Sequence, residues 1–301
     1  MAVELGATMR VVRPYPNVIG FYDGRIVGVR AHSAAPNWLD DGAFTLGCCS
    51  FAIVDGDEAL VYDTHMSIPH ARIVRRTLEA MGITRMRVIL SHWHTDHVAG
   101  NAVFSDCEII ASPLTNAALI DNRDWLENND PPIKPLVMPT TVLDGETTLH
   151  VGNTVVEVRF LDIHSHDGTV LLLPQSGVLL AGDTLEDTVT YVVQPERLAI
   201  HLRDLDRMDS WAFTRILPNH GSLEQIEAGG YDRAFIAATR LYVENLTRLA
   251  NEPELAVHDL RSFAAEALAT SGIAYFYAYE PVHRHNVEAV LALAAKPDKP
   301  A

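Results

Sequence analysis

Three imidazoles and a carboxylate fall close together at His92, His94, Asp96 and His97, inside the run Ser91-His92-Trp93-His94-Thr95-Asp96-His97-Val98-Ala99-Gly100. Neutral imidazole nitrogen and carboxylate oxygen are borderline ligands that suit zinc, iron and manganese. The apolar run Met86-Arg87-Val88-Ile89-Leu90 comes directly before and reads as a buried strand, so the cluster lies where a strand ends and the chain turns. In an extended segment side chains two apart share a face, so His92 and His94 can chelate one ion together. Asp96 and His97 follow beyond the turn and can point toward a second. A lone histidine is usually a satisfied core or surface residue, but a cluster this dense after a strand reads as metal binding.

The elements that must position these groups alternate between strands and helices. Residues 8–31 hold apolar runs at 9–12, 18–22 and 26–29, and the Asp23-Gly24 break reads as a hairpin turn, so the chain is expected to begin with antiparallel strands. Residues 44–54 and 59–62 are strand candidates around Asp55-Gly56-Asp57, and a helix is expected over 68–81. After the cluster come a strand at 107–111 and an amphipathic helix around 114–126. Pro131-Pro132-Ile133-Lys134-Pro135 excludes regular structure and suggests a rigid pocket rim.

Strands resume at 147–151, 154–163, 170–173 and 178–181. The final third is mainly helical: from about Tyr231, with Ile236, Val243, Leu246 and Ala250 on one face, around Phe263 to Leu268, and from near His283. The order fits an α/β chain of two mixed halves, each supplying one sheet, better than one doubly wound sheet. A single domain over 1–301 is expected, with a helical extension from about 231.

Two ions need more donors, and three further strand ends offer them: His164 with His166 and Asp167 after 160–163, Asp183 after 178–182, and Asn219-His220-Gly221 after 215–218. Asp63 ends the strand at 59–62 and is a candidate acceptor for the outer N–H of a ligand imidazole. His65, Trp93, His166, Glu186, Tyr191, Trp38 and the proline loop near Ile133 flank these breaks and are candidate pocket residues.

Bulk composition narrows the partners. The 301 residues are 48% hydrophobic and 21% charged, an ordinary globular balance. With 39 acidic against 23 basic residues the formal net charge is -16, which repels phosphate backbones and anionic membranes. A small-molecule substrate is therefore expected rather than nucleic acid or a membrane, and a homo-oligomer is compatible with the composition. No stretch approaches the roughly twenty apolar residues of a membrane span, and the first residues lack the pattern of a secretory signal. Cys48, Cys49 and Cys107 are odd in number and form no Cys-x-x-Cys pair, so free thiols and a reducing, cytoplasmic setting are expected.

With these residues in place, the chain resembles the metallo-β-lactamase superfamily of metal-dependent hydrolases. That family's His-x-His-x-Asp-His signature, followed by a His, an Asp and a His, falls on His92, His94, Asp96, His97, His164, Asp183 and His220. The resemblance runs from about residue 44 to 222. It implies an αβ/βα four-layer sandwich, two mixed sheets face to face with helices outside and the site at one edge.

It further implies His92, His94 and His164 on one metal, Asp96, His97 and His220 on the other, and Asp183 bridging. His164-Ser165-His166-Asp167-Gly168 is similar to the family's His-Thr-Pro-Asp-Asn stretch, which favours His164 over His166 as ligand. The metals implied are two divalent ions, Zn2+ first, with Mn2+ or Fe2+ as alternatives. The activity implied is hydrolysis of an ester-like, lactone, thioester or amide bond by a metal-bridging hydroxide, with Asp96 orienting it and accepting its proton. Asp183 stands where many true β-lactamases of the fold have Cys or Ser, so the chain is similar to the lactonase-like and glyoxalase-II-like branches. Thr184-Leu185-Glu186-Asp187 lacks the Tyr that lactonase-like relatives place just after the bridging Asp. The rival is an iron-dependent sulfur dioxygenase with one iron on His92, His164 and Asp183. β-Lactamase activity and a non-catalytic sensor rank below it.

Overall fold

Short apolar runs separated by glycine and proline turns pair into two sheets in the computed structural model, which describes residues 3–296. Among the described residues the first sheet runs, in order, β1 (Arg10–Tyr15), β2 (Val18–Asp23), β3 (Cys48–Asp55), β4 (Glu58–Tyr62), β5 (Arg85–Ile89), β6 (Glu108–Ala111) and β7 (Thr141–Val142). Pairing is antiparallel from β1 to β4 and parallel from β4 to β7. The change of sense follows the connections, since parallel neighbours need long crossovers. Those crossovers carry α1 (Ile68–Ala80), α2 (Thr95–Val98), α3 (Pro113–Asp121) and α4 (Arg123–Asn128).

The second sheet comprises β8 (Thr147–Val151), β9 (Thr154–Ile163), β10 (Ser165–Leu173), β11 (Val178–Gly182) and β12 (Arg215–Pro218), in the spatial order β12-β11-β10-β9-β8. Only β11 and β12 pair in parallel, across α5 (Leu198–Asp209). Beyond β12 lie α6 (Leu223–Glu227), α7 (Ala234–Arg248), α8 (Leu260–Phe263), α9 (Ala265–Ala269) and α10 (Glu280–Ala294).

Alternation along the strands builds the layers. Phe51, Ile53, Leu60 and Tyr62 of the first sheet meet Val156, Val158, Leu171, Leu173 and Leu180 of the second in one core between them. The opposite faces bury Ala52, Val54 and Val61 against Ala71, Val74 and Leu78 of α1. On the other side Val170, Leu172 and Leu179 pack with Leu205, Met208 and Val243 of α5 and α7. Helix, sheet, sheet, helix is the αβ/βα sandwich the sequence implies. No helix among the described residues is long and apolar enough to cross a membrane.

Several boundaries differ from those read in the sequence. The first hairpin turns at Pro16-Asn17, where Tyr15 pairs with Val18, and not at Asp23-Gly24. At Gly24 (φ +102) the chain leaves the sheet instead, and a Cβ there would lie 2.1 Å from the Phe44 carbonyl oxygen. Residues 26–29 consequently form no strand, and Ile26 and Val29 pack beside Phe44 and Met66. The third strand starts at Cys48, because a π-helical turn, Leu39–Phe44, occupies the preceding residues, with Asp40 accepting N–H bonds from Ala31 and Ser33. The helix expected over 114–126 breaks at Asn122, the last begins at Glu280, and Ala250 is exposed.

His201 of α5 is 1% exposed beneath β9, with neither ring nitrogen hydrogen-bonded and Nε2 3.8 Å from Asp162 Oδ1. Burial holds its pKa down at about 4, from an ordinary 6.5, against the opposing charge of Asp162. Between those values the unfolded chain binds a proton that the folded chain excludes, so the contribution to stability is complete above pH 6.5 and lost as pH falls toward 4. His201→Leu should abolish this loss and reduce the stability difference between pH 7 and pH 4.5 by about 2–3 kcal/mol in urea unfolding. An unchanged difference would exclude His201 as the source.

Candidate metal centre

Four strand ends deliver the donors to one edge between the sheets. β5 passes through Leu90 and Ser91 to His92 and His94, and the single turn of α2 presents Asp96 and His97. β9 ends at Ile163, and His164 takes a left-handed conformation (φ +67) before β10 begins. β11 ends at Gly182, β12 at Pro218, and Asp183 and His220 follow them. Gly182 (φ +56) is required here: a Cβ would lie 2.8 Å from the Tyr62 hydroxyl and 3.1 Å from Ser91 Cβ.

Two backbone bonds and one from a tyrosine side chain tie the two sheets at this edge. Thr169 N donates to Ser91 O (2.7 Å), Tyr62 Oη to Thr169 O (2.5 Å) and Cys49 N to Asn219 O (2.8 Å).

The donors form two groups that could each hold an ion, His92 with His94, His164 and Asp183, and Asp96 with His97 and His220. His94 Nδ1 lies 2.9 Å from both His92 Nε2 and His164 Nε2. Asp183 Oδ2 is 3.5 Å from His92 Nε2, 3.6 Å from His164 Nε2, 3.0 Å from His97 Nε2 and 3.3 Å from His220 Nε2, so it faces both groups. Asp96 Oδ2 reaches His220 Nε2 at 3.1 Å and Asp96 Oδ1 reaches His97 Nε2 at 3.4 Å.

Most outward ring nitrogens are held. His92 Nδ1 meets Ser91 Oγ (2.8 Å), His97 Nδ1 meets Asp63 Oδ2 (2.9 Å), His164 Nδ1 meets Glu186 Oε1 (3.0 Å) and His220 Nδ1 donates to Gly47 O (2.6 Å). Such partners orient ligand imidazoles and raise their basicity. Asp63 is itself fixed, accepting Ser91 N at Oδ1 (2.6 Å) and Asn219 Nδ2 at Oδ2 (2.6 Å).

The donor set fits metal ions. Asp183 Oδ1 is buried without a hydrogen-bond partner, and three imidazole nitrogens converge where few protons can satisfy them all. Without metal, burial drives His92 well down and His94 to about 3. Burial acts the same way on His97 and His220, but Asp183 and Asp96 outweigh it and push both well up. At His164 the hydrogen bond it donates to Glu186 and the charge of Asp183 likewise overcome burial. Burial would raise Asp183, yet His220 and His97 hold it well below the usual carboxylate range.

The remaining candidates divide. Glu186 is buried, holds His164 and accepts Tyr191 N (2.7 Å) and the Tyr279 hydroxyl (3.2 Å). Trp93 stands edge-on to His94 with ring centroids 4.8 Å apart, and Tyr191 lies 6.0 Å from His164. His166 lies outside both donor groups, half-exposed on β10. His65 is fully buried, its ring stacked on His70, with Nδ1 accepting Met66 N and Nε2 3.2 Å from Phe21 O. Ile133 is likewise buried in the core, while Trp38 donates to Pro131 O (2.9 Å). Asn219, which the sequence marks only as the neighbour of His220, and Tyr279, which it marks only as preceding the last helix, are tied to the site by hydrogen bonds to Asp63 and Glu186 that no local pattern shows.

A profile of the metallo-beta-lactamase superfamily matches residues 45–255. The atrochrysone carboxyl ACP thioesterase of Aspergillus terreus is 29% identical over 184 residues, covering 60% of this chain and 52% of the relative. A lactamase-like protein of Pestalotiopsis microspora is 28% identical over 185 residues, with 60% and 52% covered. The chain thus spans about half the length of these curated relatives. Among solved structures, a metallo-beta-lactamase from Pontibacter korlensis superposes with a TM-score of 0.60 at 16% identity, over 79% of this chain and 99% of that one. The DIM-1 metallo-beta-lactamase gives 0.59 at 19% identity, over 81% and 98%. These likenesses are of fold.

Zinc uptake by the metal-free protein should release protons, because the raised His97, His220 and His164 must each be neutral to ligate. Affinity should therefore rise with pH. Titration calorimetry at pH 7 in buffers of different ionisation enthalpy should read at least about one proton released per chain. Buffer-independent heats would contradict this account.

Proposed function

From the premise that the chain belongs to the metallo-beta-lactamase superfamily, we propose that it is a hydrolase holding two divalent ions, zinc first, which cleaves an ester-like bond of a small molecule. A thioester heads the candidates, because the relative from Aspergillus terreus carries that activity in its name. The observation that carries the dinuclear reading is Asp183, whose Oδ2 faces both donor groups while Oδ1 is buried and unpartnered.

His92, His94 and His164 would hold one ion, Asp96, His97 and His220 the other, and Asp183 both. When bound, such a pair supplies a water acidified to near neutrality and a Lewis acid for the scissile carbonyl. The chain's part is to orient and to move protons. Ser91, Asp63, Glu186 and the Gly47 carbonyl lock the imidazoles, so no rearrangement is needed on reaction. Asp96 is the more exposed carboxylate of the site, its side chain 13% accessible against 3% for Asp183. It is placed to take a proton from the attacking water and pass it to the leaving thiol or alcohol as the acyl bond breaks.

Metal analysis should find about two zinc or manganese equivalents per chain. A panel of thioester, lactone, aryl ester, phosphodiester and cephalosporin substrates should give hydrolysis, and Asp183→Asn should cut it by at least about a hundredfold. One iron per chain with oxygen uptake on a persulfide, or activity surviving Asp183→Asn, would overturn the reading.

A further inference from the structure

The exposed edge of the site is made of rings. Trp125, Trp93, His94, His164, Tyr191 and His285 follow one another with centroid separations of 5.9, 4.8, 4.8, 6.0 and 4.5 Å. The middle two are imidazoles of the donor group, and each outer pair flanks one of them. Trp93 and Trp125 meet edge to face at 66°, whereas Tyr191 and His285 stack at 13°. The edge is open: Trp125 is 50% exposed, His285 is exposed, and Trp93, His94 and Tyr191 are half-buried, while His92, His97, Asp183 and His220 lie beneath.

The walls come from distant segments, α4 on one side and α10 on the other, and both are anchored. Leu126, next to Trp125, is fully buried in the core. Asn286, next to His285, is buried and bonds Val192 N (2.8 Å), Thr190 O (2.9 Å) and the Tyr242 hydroxyl (3.0 Å), fixing α10 to the segment that carries Tyr191. Nothing in the donor network needs Trp125 or His285, and Trp125, half-exposed and edge to face with Trp93, extends that ring outward as a continuous aromatic surface. Aromatic faces gain more from a flat conjugated partner, through offset or edge-to-face contact, than from a saturated group of equal area.

Resting on the hydrolase reading above, we propose that the acyl portion of the substrate is planar and conjugated, and that Trp125 and His285, with Trp93 and Tyr191, set this specificity. The geometry that selects it is two aromatic walls standing on either side of the His94–His164 pair.

The zinc-loaded protein is tested in two arms. In calorimetry, 2-naphthoate should bind about tenfold more tightly than decahydro-2-naphthoate, and the Trp125→Ala, His285→Ala double variant should reduce that ratio to about twofold or less. Both positions are exposed, so the core is left whole. In turnover, the N-acetylcysteamine thioesters of the same two acids are compared, each rate normalised to its hydroxide-catalysed rate, and the naphthoyl thioester should be preferred by a similar factor that the double variant erases. Equal affinity for the two acids, no binding of either at millimolar concentration, or a ratio unchanged in the double variant would overturn the proposal. Selective binding without hydrolysis of either thioester or of any substrate in the panel above would instead refute the hydrolase reading and leave the aromatic walls standing. Hydrolysis of both at equal normalised rates would do the reverse.

Discussion

A carboxylate withdrawn from water needs opposite charge brought to it, and Asp183 is the point at which that need is concentrated. It follows a buried strand, its Oδ2 faces four imidazoles drawn from three other strand ends, and its Oδ1 has no hydrogen-bond partner. Protonated His97 and His220 answer part of the demand, which is why their pKa values rise while that of Asp183 falls. Cations answer it more fully. Ser91, Asp63, Glu186 and Gly47 engage the outer nitrogens of His92, His97, His164 and His220 and turn the inner ones toward Asp183, Asp96 and His94, the arrangement that metal ligation requires.

The two sheets have to close before these donors meet. His92, His94, Asp96 and His97 follow a strand of the first sheet, whereas His164, Asp183 and His220 follow strands of the second. Apolar side chains between the sheets drive closure, and backbone bonds such as Thr169 N to Ser91 O set its alignment at the site. Gly182 matters at this seam because a side chain there would press on the Tyr62 hydroxyl and on Ser91, where the two sheets meet.

The two-sheet organisation and the strand-end positions of the candidate donors are legible in the sequence for one reason, that both express themselves locally, whereas the four-layer sandwich and the division of ligands are what the family resemblance implies. Alternation along a strand shows which face is buried, and His or Asp at the end of an apolar run is rare enough to stand out. What is not legible depends on partners far along the chain. His65 follows a strand end as Asp63 does, but its ring turns inward onto His70, a direction no spacing rule contains. Residues 26–29 read as a strand because they are apolar, yet the close approach of Gly24 to Phe44 takes the chain out of the sheet before them. Tyr279 and His285 reach the site from α10 and the turn before it, across more than 90 residues from Glu186 and Tyr191.

Asn286 has a consequence for how such a site could change over time. By pinning α10 through buried amide bonds, it separates a helix face that must stay as it is from one that is free to vary. Arg284, His285 and Glu288 lie on the solvent side, where replacement alters the rim and leaves the donors and sheets untouched. The chain therefore carries a replaceable border around a fixed frame, and the rim could drift on one helix face without disturbing the packing that holds that helix in place.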